Sequence, residues 1–522
     1  MRGSRIGWLG FVVWISGLAN AEEAPPVPAP PAVEARPSGA GNTPQTAGPD
    51  PAAPPARRST PIEAVYEDGF KLRTQDGRHE LRIGASAHLD SRFYFGDTTS
   101  PDAFDIRRAR FEAGARLFDG VLEMQVQAAL EDRPFVRSAW LDVRVSDAFR
   151  LKAGQMKVPF STEWLTAGSQ LNFLERGTGQ PFYPFFDRGI MIHGTLAWET
   201  IQYAVGIFAG AGLDFDATHG DLDGSKDIAW RLFLQPFRNA GVPWLSGLYL
   251  VGQGTFGYQS VPARRFETGG LATPTYESLV WRWRTEQVLG DNGRNRDLLA
   301  ATIGSRTRFG AEVLFLYGPW TFSAEWDMVR YRDIEVFHEF WQGSKRLKHE
   351  RVLARDGDMH CISVWTSWFV TGESKTVNNF GFRQPKPASS LGQGGFGSIE
   401  VLARFSATFT DRGLFDTQKV KAFSQQDFNA ESGFAGPPVA EGASVTASVL
   451  DGAYRLYELT AGLNWNWNAH VRFQMNYLYL WDPEDGPSGI VSAGRSDLSD
   501  ATRKNRLIKS EHSLGVRLIF KI

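Results

Sequence analysis

From about residue 80 onward, apolar and polar side chains alternate with period two, the pattern of strands with two unlike faces. In residues 104–118, Ala109, Phe111, Ala113, Ala115 and Leu117 fall on one face, and Arg108, Arg110, Glu112, Gly114 and Arg116 on the other. Residues 121–131 repeat it, with Leu122, Met124, Val126, Ala128 and Leu130 against Glu123, Gln125, Gln127 and Glu131. Asp119-Gly120 between them reads as a two-residue hairpin turn. The same alternation returns in 137–147, 303–317, 397–410, 470–481 and 511–522. Sixteen strands are predicted, centred near residues 88, 111, 126, 142, 153, 194, 206, 232, 252, 310, 327, 365, 404, 461, 476 and 517. An even number suits a closed antiparallel barrel made by one chain. Lys152 and Lys157 have opposite parity, which predicts a bulge in the strand near 153.

The connections alternate too. Short turns are expected at Asp119-Gly120, Ser146-Asp147, Glu199-Thr200, Gly318-Pro319 and Asn468-Ala469. Between them stand long links at 159–187, 211–225, 260–299, 333–356, 411–453 and 482–510. Short turns at one end and long loops at the other mark an outer-membrane barrel. Residues 372–395 break the rule: they fall on the short side yet are long and rich in Gly, Ser and Pro. A soluble sandwich also alternates, but its apolar face is the inner one. Here the polar face repeatedly carries Arg and Glu. Aromatics gather near strand ends, as at Trp465, Trp467, Tyr479 and Trp481, where interfacial girdles stand. The fold class expected is therefore all-β: a transmembrane antiparallel β-barrel.

Composition narrows the class further. Across 522 residues the net charge is -2, which argues against a nucleic-acid partner. Aromatics reach 13%, which suits girdled strands. Beyond the N-terminus no apolar run approaches the roughly 18 residues of a membrane helix. Arg2 and Arg5, the apolar stretch Ile6 to Leu18 and Ala19-Asn20-Ala21 form a signal-peptide pattern cut after Ala21. Residues 22–61, rich in Pro and Ala, read as a disordered linker, leaving 62–522 for the barrel. Cys361 stands alone, so neither a disulfide framework nor a cysteine-based metal site is expected. No nucleophile elbow, zincin helix or phosphate loop is visible, and Asp358 and His360 have no evident nucleophile beside them. No catalytic residue, metal or cofactor is expected.

Several ordered stretches carry a resemblance. They are Arg150 to Arg176 (RLKAGQMKVPFSTEWLTAGSQLNFLER), Asp105 to Arg110 (DIRRAR), Ala324-Glu325-Trp326, Trp368 to Glu373 (WFVTGE), Phe396 to Ser406 (FGSIEVLARFS) and Gly462 to Trp465 (GLNW). As a set they resemble the phosphate-selective porin O and P family. The resemblance implies a sixteen-stranded trimeric channel whose third extracellular loop, here 159–187, folds inward. It implies outer-membrane lipid around the barrel and small anions such as phosphate or polyphosphate as permeants. An arginine ladder would line such a pore, with lysines at the constriction.

Parity places Arg82, Arg92, Arg108, Arg110, Arg116, Arg144, Arg231, Arg306, Arg308, Arg404, Arg472 and Arg517 on the interior face. Asp90, Glu112, Glu123, Glu131, Asp142, Glu199, Glu312, Glu325, Asp327, Glu400 and Glu458 fall on the same face, so pairing across strands is expected. Around the presumed inward loop stand Lys152, Lys157, Glu163, Glu175, Arg176 and Arg188, but the loop itself contains no lysine. Lys345, Arg346, Lys348, Arg351 and Arg355 read as a solvated charged loop. Three functions stay open: an anion-preferring porin, a general or weakly cation-preferring porin, and a structural barrel tethering the envelope.

Overall fold

The computed structural model describes residues 60–522, apart from 68, 97–101, 132–134, 211, 213–223, 259–269, 273, 275–277, 284–297, 303, 343–344, 422–443, 486–487 and 493–506. The expected signal peptide, and the expected linker up to residue 59, lie outside the described residues.

Sixteen antiparallel strands form the barrel, each spanning or lying beside its predicted centre. They are β1 (Glu80–Phe95), β2 (Ala103–Leu117), β3 (Leu122–Ala129), β4 (Phe135–Arg144), β5 (Arg150–Lys157), β6 (Phe186–Leu196), β7 (Ile201–Phe208) and β8 (Asp227–Leu234). Then follow β9 (Leu248–Tyr258), β10 (Ser305–Tyr317), β11 (Trp320–Gln342), β12 (Lys345–Phe369), β13 (Ser398–Thr410), β14 (Arg455–Asn466), β15 (Val471–Trp481) and β16 (Ser510–Lys521). Each strand pairs with the next, and β16 closes on β1 from His512↔Phe95 to Lys521↔Ser86. A hairpin, Ile62–Tyr66 with Phe70–Thr74, pairs with the first residues of β1.

Burial runs opposite to that of a soluble protein. On β10, Arg306, Arg308 and Glu312 are buried while Phe309, Ala311 and Val313 are exposed or nearly so. Ile190, Ile207 and Ile228 are each more than half exposed, whereas Arg517 and Glu458 show no accessible surface. An apolar exterior around a polar interior is stable only where the solvent outside is hydrocarbon. Aromatics line the short-turn end, where the exposed Trp320 and Trp368 stack at 5.5 Å and the half-buried Trp465 and Trp467 meet at 5.3 Å.

Local details depart from the expected ones. At Asp119-Gly120 the loop is four residues, 118–121, closed by Leu117↔Leu122, because Phe118, Asp119 and Gly120 are all left-handed. Ala197, Trp198 and Glu199 build the same loop before Ile201. Gly318-Pro319 is the two-residue turn expected. No bulge interrupts β5, whose ladder to β6 is continuous from Arg150↔His193 to Lys157↔Phe186. The irregularity sits instead in Gly154, at φ 125°, where a Cβ would stand 2.3 Å from the Ala139 carbonyl oxygen. Lys157 escapes the parity because it is the last strand residue. Real register shifts occur in β2 opposite His88/Leu89 and in β4 opposite Gln127/Ala128. Residues 333–342 and 345–356 are strand, not the loop expected: they belong to β11 and β12, of 23 and 25 residues. At about 3.3 Å per residue such strands exceed a hydrocarbon core of about 30 Å. Lys345, Arg346, Lys348 and Arg351 belong to this ribbon, their side chains outside those described; Arg355, in β12, is half-buried.

Candidate functional site

The link between β5 and β6, residues 158–185, is built as an element of its own. Ser161 caps a single helical turn, α1 (Thr162–Leu165), by accepting from the Glu163 and Trp164 amides. Phe160, Trp164, Tyr183 and Phe186 pack into a small apolar cluster. Residues 171–180 are all buried, which is foreign to a surface loop. Their partners are interior side chains of distant strands. The Thr162 amide donates to Glu312 on β10 at 2.9 Å, Leu174 to Asn476 on β15 at 2.7 Å and Thr178 to Glu458 on β14 at 2.9 Å. In return Arg472 donates to the Leu171 carbonyl, Arg404 to that of Glu175, and Arg517 to that of Leu174. Phe173 seats against Trp365 and the Arg404 guanidinium.

Glu175 is the electrostatic centre. Arg92, Arg107, Arg108 and Arg517 all donate to its carboxylate, at 2.7–2.9 Å. Burial works against the charge, but these four cations overcome it and hold the carboxyl well below the usual carboxylate range. Glu163 behaves oppositely: burial pushes its carboxyl up, although Arg404 stands 3.2 Å away. Arg176 turns back on the segment, donating to the carbonyls of Glu163, Trp164 and Thr166. Lys157 donates to the carbonyls of Trp164, Leu165 and Thr166, so both cations cap the end of α1.

A second segment reaches the same place. The anomalous link between β12 and β13 carries a small hairpin, Thr376–Asn378 with Gly381–Arg383. The Phe382 amide donates to the Thr166 hydroxyl at 2.9 Å, and Gln384 bonds to Gln170. Gly381, at φ 106°, lies so close to Thr166 that a Cβ would sit 2.5 Å from its backbone. Lys375 pairs with Glu400 and bonds Asn172 at 2.8 Å.

The other flank of the 158–185 segment opens on a cavity of about 440 Å³ against the wall formed by β2 to β6. Its basic lining is Arg108, Arg110, Arg137, Arg150, Lys152, Lys157, Arg176 and Arg383; its carboxylates are Glu112, Glu123 and Asp142.

The predicted residues separate accordingly. Arg92, Arg108, Arg231, Arg306, Arg308, Arg404, Arg472 and Arg517 are buried on the interior face. The expected pairing is extensive: Arg517 with Asp90 at 2.6 Å, Arg404 with Glu458 at 2.6 Å, Arg231 with Glu312 at 2.9 Å. Arg110 is half-buried on the cavity, 3.8 Å from Glu131. Arg82, Arg116 and Arg144 stand near the short turns and are more exposed; Arg144 pairs with Asp147 at 2.6 Å and Arg82 with Glu80. Arg188 does not join the others. It is exposed on the outer face beside Ile190, because the unbroken β5–β6 ladder fixes its parity. Sequence reading missed Arg107 and Arg137, each brought inward by a bulge, and Arg383, delivered by the hairpin. The DIRRAR run held the one available hint, two successive arginines at a site where a bulge admits both.

A family model described as phosphate-selective porin O and P matches residues 81–480. No curated protein sequence matches the chain. Among solved structures, OmpT of Vibrio cholerae is similar over 88% of this chain and 100% of its own, at 10% identity and TM-score 0.44. The outer membrane channel DcaP of Acinetobacter baumannii is similar over 87% of this chain and 100% of its own, at 8% identity and TM-score 0.43. Salmonella typhi OmpF in complex with daunomycin is similar over 88% and 100%, at 9% and 0.39. With the family's model spanning most of a closed sixteen-strand barrel, the chain belongs to the phosphate-selective porin O and P family and is an outer-membrane channel.

Proposed function

We propose that the protein is an anion-preferring diffusion channel, with residues 158–185 as an inward-folded constriction loop. The observation that carries this is the cavity beside the loop, lined by eight basic and three acidic side chains. Ions prefer a wall of opposite charge when they shed part of their water. Permeants would pass between the loop and β2–β6, since the loop's other flank is hydrogen-bonded to the wall. The arginines and lysines named above then line the path or hold the loop. Phosphate or polyphosphate is the narrower reading and rests on family membership alone. Export by a signal peptide cleaved after Ala21 and assembly as a homotrimer belong to the same reading.

A weakly cation-preferring pore is favoured by one observation. Glu325 and Asp327 on β11 are buried, and among the described residues neither forms an ion pair. The reversal potential of the purified protein in a planar bilayer under a KCl gradient separates the two. An anion-directed potential supports the proposal, and reduction of the current by added phosphate supports the narrower reading. A cation-directed potential discards both while leaving the channel.

A further inference from the structure

Lys152 occupies an unusual position in the cavity. Its register partner across β4 and β5 is Asp142, the carboxylate expected to neutralise it. Asp142 is already engaged, by Arg150 at 3.1 Å and by His193 at 2.9 Å. Among the described residues the Lys152 ammonium therefore meets no carboxylate within ion-pair distance. It rests on ring faces instead, 3.4 Å from the Trp140 centroid and 5.7 Å from that of Phe380. A ring face holds an ammonium in place but leaves its charge unneutralised.

Phe380 is not part of the barrel wall. It sits at the tip of the 376–383 hairpin and retains 40% exposure within a cavity-lining position. An apolar ring left that exposed in a polar channel is unusual, since the tip of a two-residue turn would take a polar residue at no cost. Among the described residues its close ring neighbour is His193, edge-on at 5.6 Å and 87°, which leaves ring surface free. Arg383, three residues on, lines the same cavity, exposed and forming no ion pair among the described residues. The hairpin cannot be an accident of a slack link, because Phe382 is buried against Trp365 and Gly381 touches Thr166.

A fixed, unneutralised ammonium beside an accessible phenyl ring matches a flat organic anion. The carboxylate meets Lys152 and the ring stacks on Phe380, with room in 440 Å³ for a single-ring molecule. Inorganic phosphate would use the cation but gain nothing from the ring. Resting on the anion-channel reading above, we infer that the cavity is a binding station for aromatic carboxylates, with Lys152 as the anion contact and Phe380 as the stacking platform.

The test uses the full-length protein in planar bilayers, with chloride current measured while benzoate or acetate is added. Benzoate is expected to reduce the current at a concentration about 3- to 10-fold below acetate, the range one aromatic contact supplies. Phe380→Leu, which keeps apolar bulk and so preserves hairpin packing, should remove that difference and leave the acetate response unchanged. Lys152→Gln should weaken both. Equal responses to benzoate and acetate in an anion-directed wild-type channel would overturn this station and leave the anion channel standing. An unchanged benzoate preference in Phe380→Leu would also overturn it. A cation-directed potential would remove the anion-channel reading and this inference with it.

Discussion

Two pairs of interior cations in the same barrel are used in opposite ways. On the wall of β10 and β13–β16, Arg404 and Arg517 each meet a carboxylate and a loop carbonyl, with no accessible surface left on Arg517. Among the described residues, on the wall of β2–β5, Arg110 is 3.8 Å from its nearest carboxylate and Lys152 has none in contact. The first pair acts as fasteners; the second lines the cavity beside Arg107 and Arg108, which are fastened to Glu175. An arginine on a barrel's inner face therefore says little about permeation until its partners are known. Selectivity belongs to the charges that structure has not consumed.

The largest expected effect lies on the fastened side. Replacing Glu175 by Ala takes the shared carboxylate from four guanidiniums, leaving Asp90 to Arg92 and Arg517, and removing one partner of a buried ion pair costs about 3–5 kcal/mol. Heat-modifiability of the folded barrel on SDS gels should fall by many degrees, and an unchanged midpoint would break the distinction. Next comes a charge reversal on the open side. Arg110→Glu with Lys152→Glu should turn the reversal potential toward cations. Arg404→Gln with Glu458→Gln removes one charge of each sign and should leave it in place.

A smaller effect follows from acidity. Burial raises the Glu163 carboxyl from its ordinary value, so it takes up a proton at a milder acidity than an exposed glutamate, which titrates near about 4.3. That protonation removes one negative charge beside Arg404 and Arg176, and anion preference should rise. Because its folded pKa is raised, protonating Glu163 also relieves the burial of its charge and stabilises the fold. Glu175 has the opposite sign. Its depressed folded pKa gives stability that is present above about 4.3 and is lost as pH falls through the folded value. Selectivity should therefore shift at milder acidity than unfolding. A Glu163→Gln channel with the wild-type pH profile would refute the assignment. The smallest effect is none: Arg188→Gln, on the outer face, should leave the reversal potential unchanged.

The strands were legible because period-two alternation is a local signal, and all sixteen predicted centres lie in or beside the strands. What local pattern could not show was the consequence of one extra residue. Bulges at Arg107 and Arg137 carry both inward without disturbing the alternation on either side. Arg188 was misplaced for the converse reason, since Gly154 absorbs the irregularity near Lys157 without shifting the register. The 372–395 link was visible as an anomaly, but its contact with Thr166 lies more than 200 residues away in sequence. No periodicity encodes that. Likewise, which arginines are spent on Glu175 is a property of the folded segment and not of any strand.

Arg517 has a consequence for how the protein comes into being. It bonds Asp90 across the junction of the last strand with the first, and also holds Leu174 and Glu175 of the 158–185 segment. The junction joins residues more than 400 positions apart, so it cannot form until residues 510–521 have been made and delivered. Until then Glu175 lacks one of its four cations and the segment one of its anchors. Completion of the cylinder and fixing of its aperture are thus a single event, timed by the arrival of β16. A chain lacking β16 would lose not only a strand but the definition of its opening.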